Sequence, residues 1–472
     1  MDYVLPNDLI KMMPDKIQKY VEKRADLAAR PLVAGVRDGV KQAVVIPALA
    51  EKESLFQTLN SLAKNEPEEL ARTLVICVVN NRTPSVAASD EIENNRQTID
   101  ILDTMVRGRQ VLVGGESFPA YSYENRGQSR RGMIPRQPSA SSRLRVGYID
   151  ASSPGHELPE KGGVGMARKI GLDWALAILD PAASPGLLLS LDADTLVDPN
   201  YLSAVREHFV AQNAWAAAIA YAHRLDGPLE ETAAIVCYEI FLRYHVLGLR
   251  YAGSPYAFHS IGSTIACRAD AYVAVSGMNQ RQAGEDFYFL EQLAKTGGVD
   301  EIGTTTVYPS ARPSSRVPFG TGRRVRRFLA HTHDEYLLYD PRSYQIIKDW
   351  LAIVADHLDG NAADLLTRAG TICPQLRVFL ESNNFAQAWE RLQRNSAGHQ
   401  QLHSQFHRWF DGFRTMKLIH HLRDNGFPER PMFESLQTLL DWTGVEIPGA
   451  TIGDLDAQKV VLERLRRWEL WA

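Results

Sequence analysis

The chain has 472 residues, 45% of them hydrophobic and 23% charged, with 33 Gly and 24 Pro. These are globular values that exclude a collagenous, low-complexity or wholly disordered protein. The 52 Lys plus Arg nearly balance the 56 Asp plus Glu, for a net charge of −4, which argues against a molecule-wide nucleic-acid-binding surface and leaves any basic site local.

Read along the chain, residues 1–40 form a charged, helical lead-in, most helix-like over 15–29. Met1-Asp2-Tyr3-Val4-Leu5-Pro6 places an acid and a proline where a secretory signal carries basic residues and an apolar core, so a cytoplasmic protein is expected. The β-branched run Ala43-Val44-Val45-Ile46-Pro47, a helix over about 51–63 and a second run over 73–79, closed by Asn80-Asn81, predict a parallel βαβ unit. A helix follows over 90–106, then a stretch crowded with Gly, Ser, Arg and Pro over 114–142, which suits a mobile active-site segment or a disordered insertion. Strand character returns at 146–150, a helix at 165–179, and a buried-strand run at 187–191 ends in Asp192-Ala193-Asp194. After about Tyr336 the strand signals fade. Helical spacing over 344–358, 362–369, 385–394, 401–423, 432–442 and 457–471 sets an all-helical C-terminal domain at 336–472, behind an α/β domain at 41–335.

Cys77, Cys237, Cys267 and Cys373 are widely spaced, without a Cys-x-x-Cys pair, and read as buried thiols of a reducing compartment. The longest clearly apolar run, 214–222, falls far short of the roughly 20 residues of a membrane span, so no transmembrane anchor is expected.

The chemistry starts at Asp192 and Asp194. Two carboxylates two positions apart, where a buried strand turns, can reach one hard divalent cation, and that cation can bridge diphosphate oxygens. The triplet alone is weak, because Asp454-Leu455-Asp456 repeats it in a helical region where it should face solvent.

In their order and spacing, three blocks resemble the glycosyltransferase family 2-like enzymes of the GT-A fold. Val44-Val45-Ile46-Pro47-Ala48-Leu49-Ala50-Glu51 looks like their opening strand, and Leu189-Ser190-Leu191-Asp192-Ala193-Asp194-Thr195 like their metal-binding Asp-x-Asp motif. Gly284-Glu285-Asp286-Phe287 looks like their Glu-Asp motif, which holds the catalytic base. The resemblance spans about 42–307 and implies a Rossmann-like nucleotide-diphospho-sugar transferase sheet with helices on both faces, using Mn²⁺ or Mg²⁺. It implies Pro47, Ala48, Glu51, Asn80, Asn81 and Asp192 around the nucleotide sugar, Asp192 and Asp194 on the metal, and Asp286 with Glu285 at the reacting centre. Relatives often carry aspartates where this chain has Asn80-Asn81, which leaves the base unnamed. Lys161 and Arg168 are similar to a basic segment that holds the nucleotide; a solvated helix start accounts for them as well. The Gln-x-x-Arg-Trp signature of processive synthases is missing, so single-sugar transfer is expected.

Two more clusters are candidates. Arg316 and Arg323, among the arginines around Val317-Pro318-Phe319-Gly320-Thr321-Gly322, can grip the donor diphosphate or an anionic acceptor, or simply face solvent. His331 or His333 stands where many GT-A enzymes supply a further metal ligand. The expected function is therefore metal-dependent transfer of one sugar from a nucleotide-diphosphate sugar to a hydroxyl acceptor, with inversion. The alternatives are an aspartate-dependent phosphohydrolase of haloacid dehalogenase type, suggested by Leu191-Asp192-Ala193-Asp194-Thr195, and a non-catalytic sugar-nucleotide-binding module.

Overall fold

The computed structural model describes residues 2–3, 10, 12–25, 27, 29–35, 38–83, 85–107, 111–113, 116–118, 144–281, 283–314 and 320–471. It divides into two compact units, Met1–Arg224 with Ser260–Ser310, and Leu225–His259 with Ala311–Ala472.

The first unit is a mixed α/β body. Its strands in chain order are β1 (Asp2–Tyr3), β2 (Leu32–Ala34), β3 (Gln42–Ala48), β4 (Thr73–Asn80), β5 (Val111–Val113), β6 (Glu116–Phe118), β7 (Arg145–Ala151), β8 (Leu187–Ser190), β9 (Leu196–Val197), β10 (Ala216–Tyr221), β11 (Ile265–Arg268) and β12 (Asp300–Tyr308). Ten of them form one sheet in the order β1-β2-β7-β4-β3-β8-β11-β10-β12-β9, while β5 and β6 pair separately. The central run β7-β4-β3-β8 is parallel throughout. β3, β4 and β8 are buried along their whole lengths, as strands covered on both faces must be.

From β3 the chain moves to β4 on one side and reaches β8 on the other, so a topological switch point lies at the carboxyl ends of β3 and β8. The register Val45 to Ser190 and the bond from the Leu191 amide to the Val45 carbonyl, 3.0 Å, bring Asp192 to that crevice.

The helix Val164–Ile178 lies on β3 and β4. Its Gly171 makes this close approach feasible: a Cβ there would sit 2.3 Å from Val45 Cγ1 and 2.8 Å from Val78 Cγ2. The lead-in is not purely helical. Its helix, Asp15–Arg24, is tied down where the Tyr20 hydroxyl donates to Asp173 at 2.9 Å, and β2 extends the sheet through β7. Of the predicted stretch 114–142, all but the strand residues 116–118 lies outside the described residues.

Among the described residues the second unit is helical, apart from a two-stranded ladder of Leu337–Leu338 with Arg430–Pro431. It does not begin where the strand signals fade. The helix Leu229–Tyr251 belongs to it, and so does the arginine-rich helix Thr321–Leu329, because the apolar stripe of Leu229–Tyr251 packs in one core with Trp350, Phe406, Leu436 and Leu462. Leu229–Tyr251 is long and apolar enough to cross a membrane, but 72% of its most apolar window is buried inside the structure. Glu239 and Arg243 interrupt its apolar run, which is why the sequence gives no continuous stretch. Both are buried, and they pair with Arg466 and Glu469 of the last helix, Leu455–Trp471. The stretch 401–423, which reads as one helix, is two, His399–Trp409 and Gly412–Asp424. Asp411 caps the second, its side chain accepting from the Arg414 amide at 2.9 Å. All four cysteines are free and buried.

Candidate active site

The centre of the site is Arg168, on the helix Val164–Ile178, three residues before Gly171 and 3% exposed. Its guanidinium forms ion pairs with Asp192 through one arm and Glu285 through the other. Burial works against the arginine charge, but Asp192, Glu285 and Asp286 outweigh it and hold the group protonated. The diphosphate-gripping fork expected from the sequence is therefore engaged with two of the protein's own carboxylates. Lys161, its expected companion, is exposed on the preceding turn.

Glu285 opens the helix Glu285–Gly297 and is 3% exposed. Burial pushes its carboxyl up to about 7 against the opposing pull of Arg168. Asp286, next along, is partly exposed. Burial also lifts its carboxyl above the usual range, opposed by Arg168. The approach of this helix start to Val164–Ile178 depends on Gly165, where a Cβ would meet the Arg281 carbonyl at 2.5 Å and Glu285 Cβ at 2.9 Å. Sequence pattern indicates both acids; it cannot indicate that Glu285 binds the helix holding Arg168.

Asp192 retains 33% side-chain exposure, and Asp194 is also partly exposed. Between them the Ala193 carbonyl accepts from Thr58 Oγ1 at 2.9 Å, which fastens the loop to the helix Lys52–Leu62. Among the described residues no three His, Cys, Asp or Glu side chains are gathered as a ready cation cage. Two carboxylates open to solvent, with the other positions left to phosphate oxygens and water, are nevertheless the kind of donor set that Mg²⁺ or Mn²⁺ accepts, so the residues fit such an ion. In contrast, Asp454 and Asp456 are exposed at the start of the last helix, where Asp454 accepts from the Ala457 amide at 2.9 Å.

On the other side of the crevice, Pro47 and Ala48 end β3 and are buried, Ala50 has a φ of 52°, and Glu51, 7% exposed, precedes the helix Lys52–Leu62. Asn95 binds this turn to the end of β4: its Oδ1 accepts from the Ala50 amide at 2.8 Å, and its Nδ2 donates to the Asn80 carbonyl at 2.9 Å and to Asn81 Oδ1 at 2.5 Å. Asn81 Nδ2 donates in turn to the Ser152 carbonyl at 3.4 Å. Asn81 is thus buried with its amide bonded internally, a scaffold position where the sequence suggested a base contact, and Asn80 is buried at the strand end. Asn94, whose Oδ1 accepts from the Lys52 amide at 3.1 Å, and Asn95 had no signal in the sequence.

Arg323, His331 and His333 lie in the second unit. Arg323 is on the helix Thr321–Leu329, and the histidines are exposed in the turn after it, not on a strand. The structure does not gather them with Asp192 and Asp194 in one unit. Arg316 is outside the described residues.

No protein-family model matches the chain, and no curated protein does. Among solved structures it is similar to S. aureus TarS 1-349 in complex with UDP-GlcNAc, at 12% identity and a TM-score of 0.36, over 91% of this chain and 92% of that one. It is also similar to the mannosyltransferase PcManGT from Pyrobaculum calidifontis in complex with GDP-Man and Mn2+, at 12% identity and a TM-score of 0.33, over 84% of this chain and 93% of that one. Likenesses at this level carry no weight for the chemistry, which rests on the residues at the switch point.

Proposed function

We propose that the α/β unit is a GT-A-type glycosyltransferase that moves one sugar from a nucleotide-diphosphate sugar to a hydroxyl acceptor, with a divalent cation and with inversion. The observation that carries this reading is the ion-paired chain Asp192–Arg168–Glu285 at the carboxyl ends of β3 and β8, with Asp286 beside it. It joins the Asp-x-Asp and Glu-Asp blocks at the kind of crevice where open α/β sheets bind nucleotides.

In this mechanism Asp286 accepts the proton of the acceptor hydroxyl while that oxygen attacks the anomeric carbon. The bond from that carbon to the diphosphate oxygen breaks on the opposite face, and the nucleoside diphosphate leaves with the electron pair. Burial, by lifting the Asp286 carboxyl, makes it a better proton acceptor once ionised. Arg168 fixes Glu285, and through it the helix start that presents Asp286. Asp192 and Asp194 would hold Mn²⁺ or Mg²⁺, which supplies positive charge for the departing diphosphate. The turn from Pro47 to Glu51 and the buried Asn80 are the proposed nucleoside side of the pocket.

A thermal-shift series with UDP, GDP and their sugars tests this, since a ligand bound only by the native state raises apparent stability by mass action. A nucleotide should raise the melting temperature in Mn²⁺ and much less in EDTA, and Asp194→Ala should remove the difference while Asp456→Ala keeps it. Equal shifts in Mn²⁺ and EDTA would eliminate the cation, and no shift with any nucleotide would eliminate the transferase.

A further inference from the structure

We propose that Ser263, backed by Thr195 and seated on a turn opened by Gly262, is the positioning residue that orients Asp192 toward its cation. This rests on the transferase reading above. The sequence blocks contain no hint of Ser263, which is 71 residues from Asp192.

Ser263 lies in the short turn Gly262–Thr264 that leads into β11, and it is 0% exposed. Its Oγ donates to Asp192 Oδ2 at 2.6 Å, the short distance of a hydroxyl bonded to a charged oxygen. A second hydroxyl, Thr195 Oγ1, is 2.9 Å from Ser263 Oγ and is also 0% exposed. A serine hydroxyl has one proton, and here it goes to the carboxylate, so Thr195 must donate to Ser263. The result is a directed chain, Thr195 to Ser263 to Asp192, which ends on the one member that solvent can reach.

The same turn controls the other carboxylate oxygen. Asp192 Oδ1 is paired with Arg168, and a Cβ at position 262 would lie 2.0 Å from the Arg168 Nη2 atom that makes the pair. Gly262 therefore leaves room for the arginine while Ser263 supplies the hydroxyl. With both oxygens held, the carboxylate cannot rotate, and each oxygen still has a further lone pair for a cation. Groups that orient a metal ligand in this way typically change metal affinity by about 10–100-fold when removed.

The experiment is a titration of the purified chain with Mn²⁺, alone and with UDP or GDP, read by the electron paramagnetic resonance of free Mn²⁺, so that no turnover is needed. Ser263→Ala should weaken Mn²⁺ binding by about 10–100-fold. Ser263→Thr, which keeps the hydroxyl, should restore most of it. Thr195→Val, nearly the same shape as threonine, should weaken binding by a smaller factor and supplies the test if Ser263→Ala does not fold. Wild-type affinity in both Ser263→Ala and Thr195→Val would overturn the assignment, and so would equal losses in Ser263→Ala and Ser263→Thr, which would implicate volume and not the hydroxyl. A wild type that ignores Mn²⁺ with every nucleotide would overturn this proposal and the cation-dependent reading together. Cation binding that the variants leave unchanged would overturn this proposal alone.

Discussion

Arg168 and Asp286 have different roles, and substitution should separate them. Asp286→Asn preserves shape and removes basicity, so transfer should fall by about 10²-fold or more while nucleotide affinity stays within a few fold. Near-normal turnover in that variant would move the base elsewhere. Arg168 is different because its loss is felt first in the folded state. Arg168→Ala leaves the buried Glu285 facing Asp192 and Asp286 without the charge that held them, and removing one partner of a buried pair typically costs about 3–5 kcal/mol. Arg168→Lys keeps the charge but cannot span two carboxylates with one planar fork, so it should recover only part of that stability. Urea midpoints for the three proteins measure the order wild type, Lys, Ala. A Lys variant equal to wild type would show that point charge suffices and the two-armed geometry does not matter.

At the scale of elements, the site depends on how closely the helix Val164–Ile178 lies on the sheet. Gly171→Ala would force a methyl into Val45 and Val78, both in buried strands, and overpacking of this kind costs about 1–3 kcal/mol. Because Arg168 is on the same helix, the displacement should also weaken nucleotide-dependent stabilisation. A midpoint within a few tenths of a kcal/mol of wild type would mean that the helix simply shifts. The elements of this layer were the legible part of the chain. β3, β4 and the helices Lys52–Leu62 and Ser89–Val106 lie within one or two residues of their expected limits, because continuous apolar runs and amphipathic spacing are local signals. What was not legible is non-local. Nothing near Leu229–Tyr251 in sequence shows that it packs in the helical unit. The break at Asp411 is a single capping side chain inside an otherwise continuous periodic stretch. For the same reason the two acidic blocks could be read while other groups that hold the site could not: Ser263 reaches Asp192 across 71 residues and Asn95 reaches Ala50 across 45, distances no local motif encodes.

At the scale of the whole molecule, burial raises certain carboxyls in the α/β unit and lowers certain histidines in the helical unit, and acid should act on these two sets of groups in opposite directions. In the α/β unit burial lifts Glu285 to about 7, and Asp286 and Asp173 above their usual values. A carboxyl raised in the folded state binds more protons there than in the unfolded chain. Its contribution is complete below the unfolded value and is lost as pH rises through the folded one, so for Glu285 the window is from about 4.5 to about 7. In the helical unit burial, reinforced by neighbouring histidines, lowers His245 and His407 to about 4, and burial also lowers His420. His245 is held neutral beside the Tyr344 hydroxyl, 2.9 Å from its Nδ1. For these groups the unfolded chain binds the extra protons, so their stabilisation is present above about 6.5 and is lost as pH falls towards 4. Scanning calorimetry from pH 7.5 down to 5.5 should therefore show the helical unit's transition falling while these carboxyls support the α/β unit. His245→Gln, which removes one of the titrating groups, should flatten the fall of the helical transition and leave the other unchanged. Parallel pH slopes in wild type and His245→Gln would show that His245 does not remain neutral in the folded helical unit.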